Sequence, residues 1–346
     1  MSAKDHILVI RLSALGDVAI SIPIMLTLIK RHPELKISVL TRPFYTKLFK
    51  DIPQIKTITA NVEHHHKGFF GLKKLSNEIE QYDISAVADL HNVLRTKILK
   101  VFLFLKGIKI VSINKGRKDK KRLTRTKNKI FKPLKSTPER YAEVFKKLGY
   151  AVNLTEPVFL KPQTLDAKML NELNFNKAKR HLGIAPFAAH EAKVYPADLM
   201  QECIKLLAGD KDINIYLFGG KKTEMSRLHN WALPYENVYC IAGKYDFENE
   251  LNLISHLDVM LSMDSGNGHL AAMYGIKVIT IWGQTHPYAG FAPIGQKETE
   301  QIIPDRKLFP LLPTSIYGNK KTMGYENIMR SIKPEKIVET VKRNLD

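Results

Sequence analysis

The stretch Val259-Met-Leu-Ser-Met-Asp-Ser-Gly-Asn-Gly-His-Leu-Ala-Ala272 decides how this chain is read. Residues 259–263 have the apolar content of a strand buried on both faces, 264–269 form a polar, glycine-containing turn, and a helix is expected to open at Leu270. A second buried strand, Ile276-Lys-Val-Ile-Thr-Ile-Trp282, follows closely. A strand that delivers Asp264, Ser265, Gly266 and His269 to a helix N-terminus builds an anion site. Unpaired backbone N–H groups and the positive end of the helix dipole, about +0.5 charge, face whatever binds there. His269 adds a directional donor. A diphosphate suits such a site best, which points to a nucleotide or a nucleotide-sugar. The same residues also fit ordinary capping, with Asp264 and Ser265 as N-cap types and Gly266 and Gly268 as turn formers.

A second junction of this kind lies near the N-terminus, His6-Ile-Leu-Val-Ile-Arg-Leu-Ser-Ala-Leu-Gly-Asp-Val-Ala-Ile20. Residues 7–10 are a short continuous apolar run, as in a central strand. Residues 13–17 read as a turn, with a helix from about Val18 and Pro23 in its early turns. The three spaced glycines of a dinucleotide fingerprint and the Walker lysine are both missing. What remains is a strand–loop–helix crevice with Asp17 at its mouth. That carboxylate fits an N-cap, and it also stands where a general base would stand at the carboxyl edge of a parallel sheet.

Composition bounds the class. The chain has 346 residues, too many for one compact core and suited to two domains, and its 44% hydrophobic content is ordinary for a globular protein. No apolar run reaches the roughly 20 residues of a membrane span. The nearest, around 98–105, is interrupted by Lys100 and Lys106. The chain runs from its first residues straight into a strand, so no signal peptide is expected and a cytoplasmic location is. Cys203 and Cys240 have neither metal-site spacing nor a disulfide framework.

Charge is the outlier, at +20. Between Lys115 and Lys135 there are eleven basic residues and one acid, Asp119. A solvated loop is the default reading of such a run. It would nonetheless attract polyanions: nucleic acid, anionic lipid head groups or a phosphorylated glycolipid. Nucleic acid is disfavoured, because only Phe131 interleaves the charges. His64-His-His-Lys67 is read as solvated loop rather than a metal site.

Elsewhere strands and helices alternate. Strands are expected at 7–11, 36–40, 84–89 and 108–113, with helices at 20–31 and 71–81 between them. An irregular linker follows at 153–164. The pattern restarts with a helix at 167–179, a strand at 181–185, a helix at 197–207 and a strand at 214–218. Helices at 222–231 and 247–255 lead into the opening stretch, and 334–345 is a terminal helix. This argues for an α/β protein with parallel, doubly wound sheets. The domains are drawn at 1–163 and 164–333, with a terminal helix in 334–346. The loop Gly183-Ile-Ala-Pro-Phe-Ala-Ala-His-Glu-Ala-Lys-Val-Tyr-Pro196 leaves a strand and enters a helix, and brings Lys193 toward the 264–269 loop. There Lys193 could neutralise a departing diphosphate, or be a surface lysine. Phe218-Gly-Gly220 is a weaker hint of close ligand approach.

Three motifs, in order, carry a family resemblance: Ser13-Ala-Leu-Gly-Asp-Val18, Pro186 to Pro196 with Lys193, and Met263-Asp-Ser-Gly-Asn-Gly-His-Leu-Ala-Ala272 followed by Gly283-Gln-Thr-His-Pro287. Together they resemble the heptosyltransferases that build the inner core of bacterial lipopolysaccharide, glycosyltransferase family 9. The resemblance implies the GT-B arrangement, two Rossmann-like domains facing a central cleft. The N-terminal one would bind a lipopolysaccharide-core acceptor and the C-terminal one an ADP-sugar donor.

Carried over residue by residue, Asp17 matches the catalytic aspartate, with Ser13 and Gly16 on the acceptor side. Lys193, Asp264, Ser265, Gly266 and His269 match donor-binding positions. The implied chemistry is inverting and needs neither metal nor cofactor, in keeping with the lack of a DxD-type acidic cluster. Two departures stand out: Ala188-Ala189 where relatives carry a threonine pair, and Asn267-Gly268 in the turn. Alternatives are another nucleotide-sugar donor on the same fold, or a non-catalytic nucleotide- or polyanion-binding protein. Peripheral contact with an anionic inner membrane would follow from a lipid-borne acceptor.

Overall fold

The computed structural model describes residues 5–220, 222–320 and 322–346. Two compact units divide the chain. One comprises the residues up to Lys115 together with Thr137–Val158; the other comprises Gly116–Ser136 and Phe159–Asp346.

The first unit is built from β1 (His6–Ile10), α1 (Leu15–Arg31), β2 (Lys36–Thr41), β3 (Ile55–Thr59), α2 (Gly68–Glu80), β4 (Ala86–Asp89), α3 (Leu94–Leu105) and β5 (Lys109–Ser112). After α4 (Arg117–Thr124), which belongs to the second unit, α5 (Thr137–Leu148) completes the first. The strands form a parallel sheet in the order β3-β2-β1-β4-β5. Strand β1 is central, which is why Ile7 to Ile10 carry no polar side chain and are wholly buried.

The second unit continues with α6 (Ala167–Glu172), β6 (Arg180–Ala185), α7 (Ala197–Ala208), β7 (Ile213–Leu217), α8 (Lys222–Ala232), β8 (Val238–Cys240), α9 (Phe247–Ile254), β9 (Val259–Met263), α10 (Gly266–Ala272), β10 (Lys277–Ile281), β11 (Gln301–Ile302) and α11 (Pro334–Leu345). Its parallel sheet runs β11-β10-β9-β6-β7-β8. All of β9 is buried, and α11 returns to pack on α7 and the sheet. Both units are Rossmann-like, and their topological crossings place the loops after β1, β6 and β9 at the carboxyl ends of central strands, where ligands bind in such sheets.

Three strands escape sequence reading: β3, β8 and β11. Each is an edge strand, short and half exposed, so it lacks a continuous apolar run. Helix α6 ends well before 179, because Asn174 takes a left-handed conformation (φ 45°) and Phe175 N–H closes back on the Leu170 carbonyl. Helix α1 starts at Leu15 rather than near Val18, and carries Pro23 in its interior. Helix α10 starts at Gly266 rather than Leu270, so most of the expected turn is its first turn.

The basic segment departs most from its reading. It contains α4, whose Lys120 and Leu123 are buried. The Lys120 ammonium lies 4.0 Å from the centre of the Phe291 ring. Lys129 donates to the carbonyls of Leu123 and Pro313. Phe131 is covered by the Arg306 guanidinium at 3.4 Å. The segment is therefore packed onto the second unit along much of its length. Nor is the histidine run wholly solvated. His66 is buried, accepts from the Asn61 N–H through Nδ1 and pairs through Nε2 with Glu78 at 3.1 Å, while His64 and His65 are exposed.

Candidate functional site

In the first unit Ser13, Gly16 and Asp17 come together between β1 and α1. Ala14 is the N-cap of α1, and Asp17, in the first helical turn, accepts from the Ala14 N–H at 3.4 Å. Both the cap and the helix dipole favour a carboxylate at this point. Asp17 also forms an ion pair with Arg11, the residue directly after β1. Arg11 is buried, and its other terminal nitrogen donates to the Leu90 carbonyl at 2.6 Å, with the Tyr141 ring below it at 5.9 Å. The guanidinium is thus clamped at the carboxyl edge of the sheet and fixes the carboxylate in turn.

The contacts with Arg11 and Ala14 both fall on Oδ2 of Asp17, whose side chain is 28% exposed.

Three residues here, Arg11, Asp89 and His91, were not singled out from sequence. Asp89, wholly buried at the end of β4, accepts from the N–H groups of His91 and Asn92 and from Thr96, and pairs with Lys100 at 2.8 Å. His91 is buried beside Arg11, and burial together with the charges of Arg11 and Lys115 lowers its pKa to about 4. It is a neutral imidazole near neutral pH. Arg11 had a visible signal, a cation at the end of an apolar strand and six residues before a carboxylate. His91 had none.

In the second unit Lys193, Asp264, Ser265, Gly266 and His269 converge. Lys193 lies in a 3₁₀ turn, Glu191–Lys193, after β6, and its ammonium pairs with Asp264 at 3.0 Å. The two side chains are 13% and 10% exposed. Ser265 is the N-cap of α10 in an extended conformation, but its hydroxyl makes no cap bond and is buried without a hydrogen-bond partner among the described residues. His269 is buried within α10.

Two glycines make this packing possible. A Cβ on Gly268 would lie 2.6 Å from the Ser262 hydroxyl of β9, so helix and strand could not approach so closely. Gly318 has φ +75°, and a Cβ there would meet Cγ and Cδ of Lys193 at 2.4 Å. Ala192 O accepts from the Gln284 N–H at 3.0 Å and joins the loop after β10 to the same group. Among the described residues, no group of three or more His, Cys, Asp or Glu side chains could hold a metal ion.

A doubly wound unit with a carboxylate at one strand–helix junction, and a second such unit with a lysine–aspartate pair at a helix N-terminus, are the two halves of a GT-B glycosyltransferase. The family model for glycosyltransferase family 9 (heptosyltransferase) matches residues 72–307, and the chain belongs to that family. It is 24% identical over 341 residues to lipooligosaccharide heptosyltransferase 2 of Campylobacter jejuni subsp. jejuni serotype O:2, covering 96% of this chain and 95% of that one. The fold is similar to the family 9 glycosyl transferase from Veillonella parvula (TM-score 0.75, 17% identity, 100% of this chain and 98% of that one). It is also similar to E. coli heptosyltransferase WaaC with ADP-2-deoxy-2-fluoro heptose (TM-score 0.66, 18% identity, 98% and 99% covered). Among the described residues no helix is long and apolar enough to cross a membrane.

Proposed function

We propose that this enzyme transfers heptose from ADP-heptose to a hydroxyl of the lipopolysaccharide inner core, with inversion and without a metal. The observation that carries this reading is the Asp17 carboxylate, held through Oδ2 by Arg11 and the Ala14 N–H just after the carboxyl end of β1. Oδ1 takes the proton of the acceptor hydroxyl as its oxygen bonds to the anomeric carbon. The bond from that carbon to the diphosphate breaks on the opposite side, and its electron pair leaves with ADP.

Lys193, the N–H groups at the start of α10 and the Ser265 hydroxyl meet the charge that develops on the leaving diphosphate. Ser13 and Gly16 shape the acceptor side beside Asp17. The donor named for the E. coli structure and the names of the curated relatives supply the sugar and the acceptor class in this reading. A different nucleotide-sugar on the same scaffold is the alternative.

The test is product mass. Purified protein is incubated with ADP-heptose and a truncated, heptose-free core acceptor, with EDTA present. A gain of one heptose is expected for the parent, and none for a folded Asp17→Ala variant. Full turnover by that variant overturns the role of Asp17. Turnover only with another nucleotide-sugar overturns the donor assignment.

A further inference from the structure

The first unit presents an apolar surface that its own core does not use. Helices α2 and α3 pack side by side, and Phe69 of α2 meets Phe102 of α3 edge-on with ring centres 5.1 Å apart. Around this contact Phe69, Phe70, Leu94, Val101, Phe104 and Leu105 are each between 57 and 82% exposed. On α3 the helical repeat puts Leu94, Val101 and Leu105 on one outward stripe, while Leu99 and Leu103 on the opposite side are buried. Isolated exposed apolar residues need no explanation, but six on two touching helices are a concentration that calls for one.

Charge says what covers it. Lys73 and Lys74 of α2 and Lys97 of α3 are exposed on the same two helices, and exposed Lys67 and Lys109 flank them in the chain. Helix α3 contains Arg95, Lys97 and Lys100 and no carboxylate. Of the two carboxylates of α2, Glu80 is paired with Lys106 and Glu78 is in contact with the His66 ring. Phenylalanine and leucine interspersed with lysine is the composition of a surface that lies in the headgroup layer of an anionic bilayer. The 115–135 segment is the more basic stretch, but its Lys120, Lys129 and Phe131 are engaged within the second unit and it offers no comparable apolar face.

We propose that the α2–α3 face docks this enzyme on an anionic phospholipid surface, with Phe69, Phe70, Val101, Phe104 and Leu105 as the inserted side chains and the flanking lysines as the headgroup contacts. The purpose of docking rests on the proposed lipid-borne acceptor, but docking itself is measured without donor or acceptor.

The full chain is sedimented with vesicles of phosphatidylglycerol and phosphatidylcholine, and with phosphatidylcholine alone. Binding to the anionic vesicles is expected, weakening as salt rises. A Phe70→Ser/Val101→Ser/Leu105→Ser variant should bind roughly tenfold or more weakly, with an unchanged melting temperature and unchanged transfer to a soluble truncated acceptor. Lys73→Gln/Lys74→Gln/Lys97→Gln should weaken binding and flatten its salt dependence. Lys118→Gln/Lys121→Gln/Lys127→Gln should retain most binding. Parental binding by the serine variant overturns the proposal, as does loss of binding in the 118/121/127 variant alone. A concentration-dependent dimer that the serine variant abolishes, with vesicle binding unaffected, makes the face an interface between two copies and also overturns it. Failure of transfer by the parent would count against the proposed reaction and leave the docking result standing.

Discussion

Lys193 and Asp264 meet at 3.0 Å, one from the loop after β6 and the other from the end of β9, and both are nearly buried. The cation assigned to the leaving diphosphate is therefore already held by a carboxylate of the anion loop. On the proposed reading Asp264 is a positioning residue that fixes a long flexible side chain beside the N-terminus of α10. Because the pair is close to neutral, attraction for a diphosphate comes from the helix N-terminus and hydroxyl donors as well as from the ammonium.

Breaking that pair from one side should cost more than removing it whole. Asp264→Ala or Lys193→Ala leaves an uncompensated, nearly buried charge, and each is expected to destabilise the second unit by about 3 kcal/mol. The double substitution should cost clearly less than the sum. Urea unfolding of the two single variants and the double variant measures this coupling; strict additivity would show that the pair is not a unit.

Arg11→Lys keeps the positive charge but loses the fork that holds Asp17 and the Leu90 carbonyl together. With Asp17 as the base, kcat should fall by about tenfold or more, with little change in KM for the donor. Steady-state kinetics across pH provide the check. An Arg11→Lys enzyme with parental kcat would remove the positioning role.

Gly318→Ala places a Cβ against the Lys193 side chain and forces a left-handed backbone on alanine. A loss of about 1–3 kcal/mol is expected, together with a raised KM for the donor as Lys193 is displaced. Alanine at Gly220, where nothing lies within 4 Å, is the control and should change neither quantity.

Buried histidines contribute to acid sensitivity, His91 and His286 most strongly. His91 and His286 have pKa values lowered to about 4, each first by burial and then by neighbouring cations, Arg11 and Lys115 for the one and Arg306 and Lys129 for the other. Between the ordinary value of 6.5 and about 4, the unfolded chain binds protons at these sites that the folded chain does not. Their contribution is complete above that window and is lost as pH falls through it, up to roughly 3 kcal/mol each. Unfolding free energies at pH 7 and pH 5 should differ in this direction, and His91→Gln should reduce the difference. A stability that is flat over this range would contradict the neutral assignment.

Much of the architecture is legible without coordinates, for a simple reason. Central strands of parallel sheets are buried on both faces, so β1 and β9 stand out as apolar runs, and the residues after them mark the two half-sites. Asp17 and the 264–269 loop are singled out this way and Lys193 by the loop after β6, with the order of the motifs pointing to the family. Edge strands β3, β8 and β11 carry weaker signals because half their surface is wet. The 115–135 run misleads for a different reason. Its sequence shows charge, but burying Lys120 against Phe291 depends on residues far away in the chain.

Two parallel α/β halves, the polar loops between strand and helix, and a family can be read from the residues alone, because burial periodicity and short motifs are local properties. Folding settles which groups pair and which face outward: Arg11 on Asp17, Asp264 on Lys193, and the phenylalanine- and lysine-bearing face of α2 and α3 left outside the core. The Asp264–Lys193 contact and the exposure of the α2–α3 face depend on how distant segments pack, and even the nearby Arg11 and Asp17 meet only because the turn after β1 brings them together.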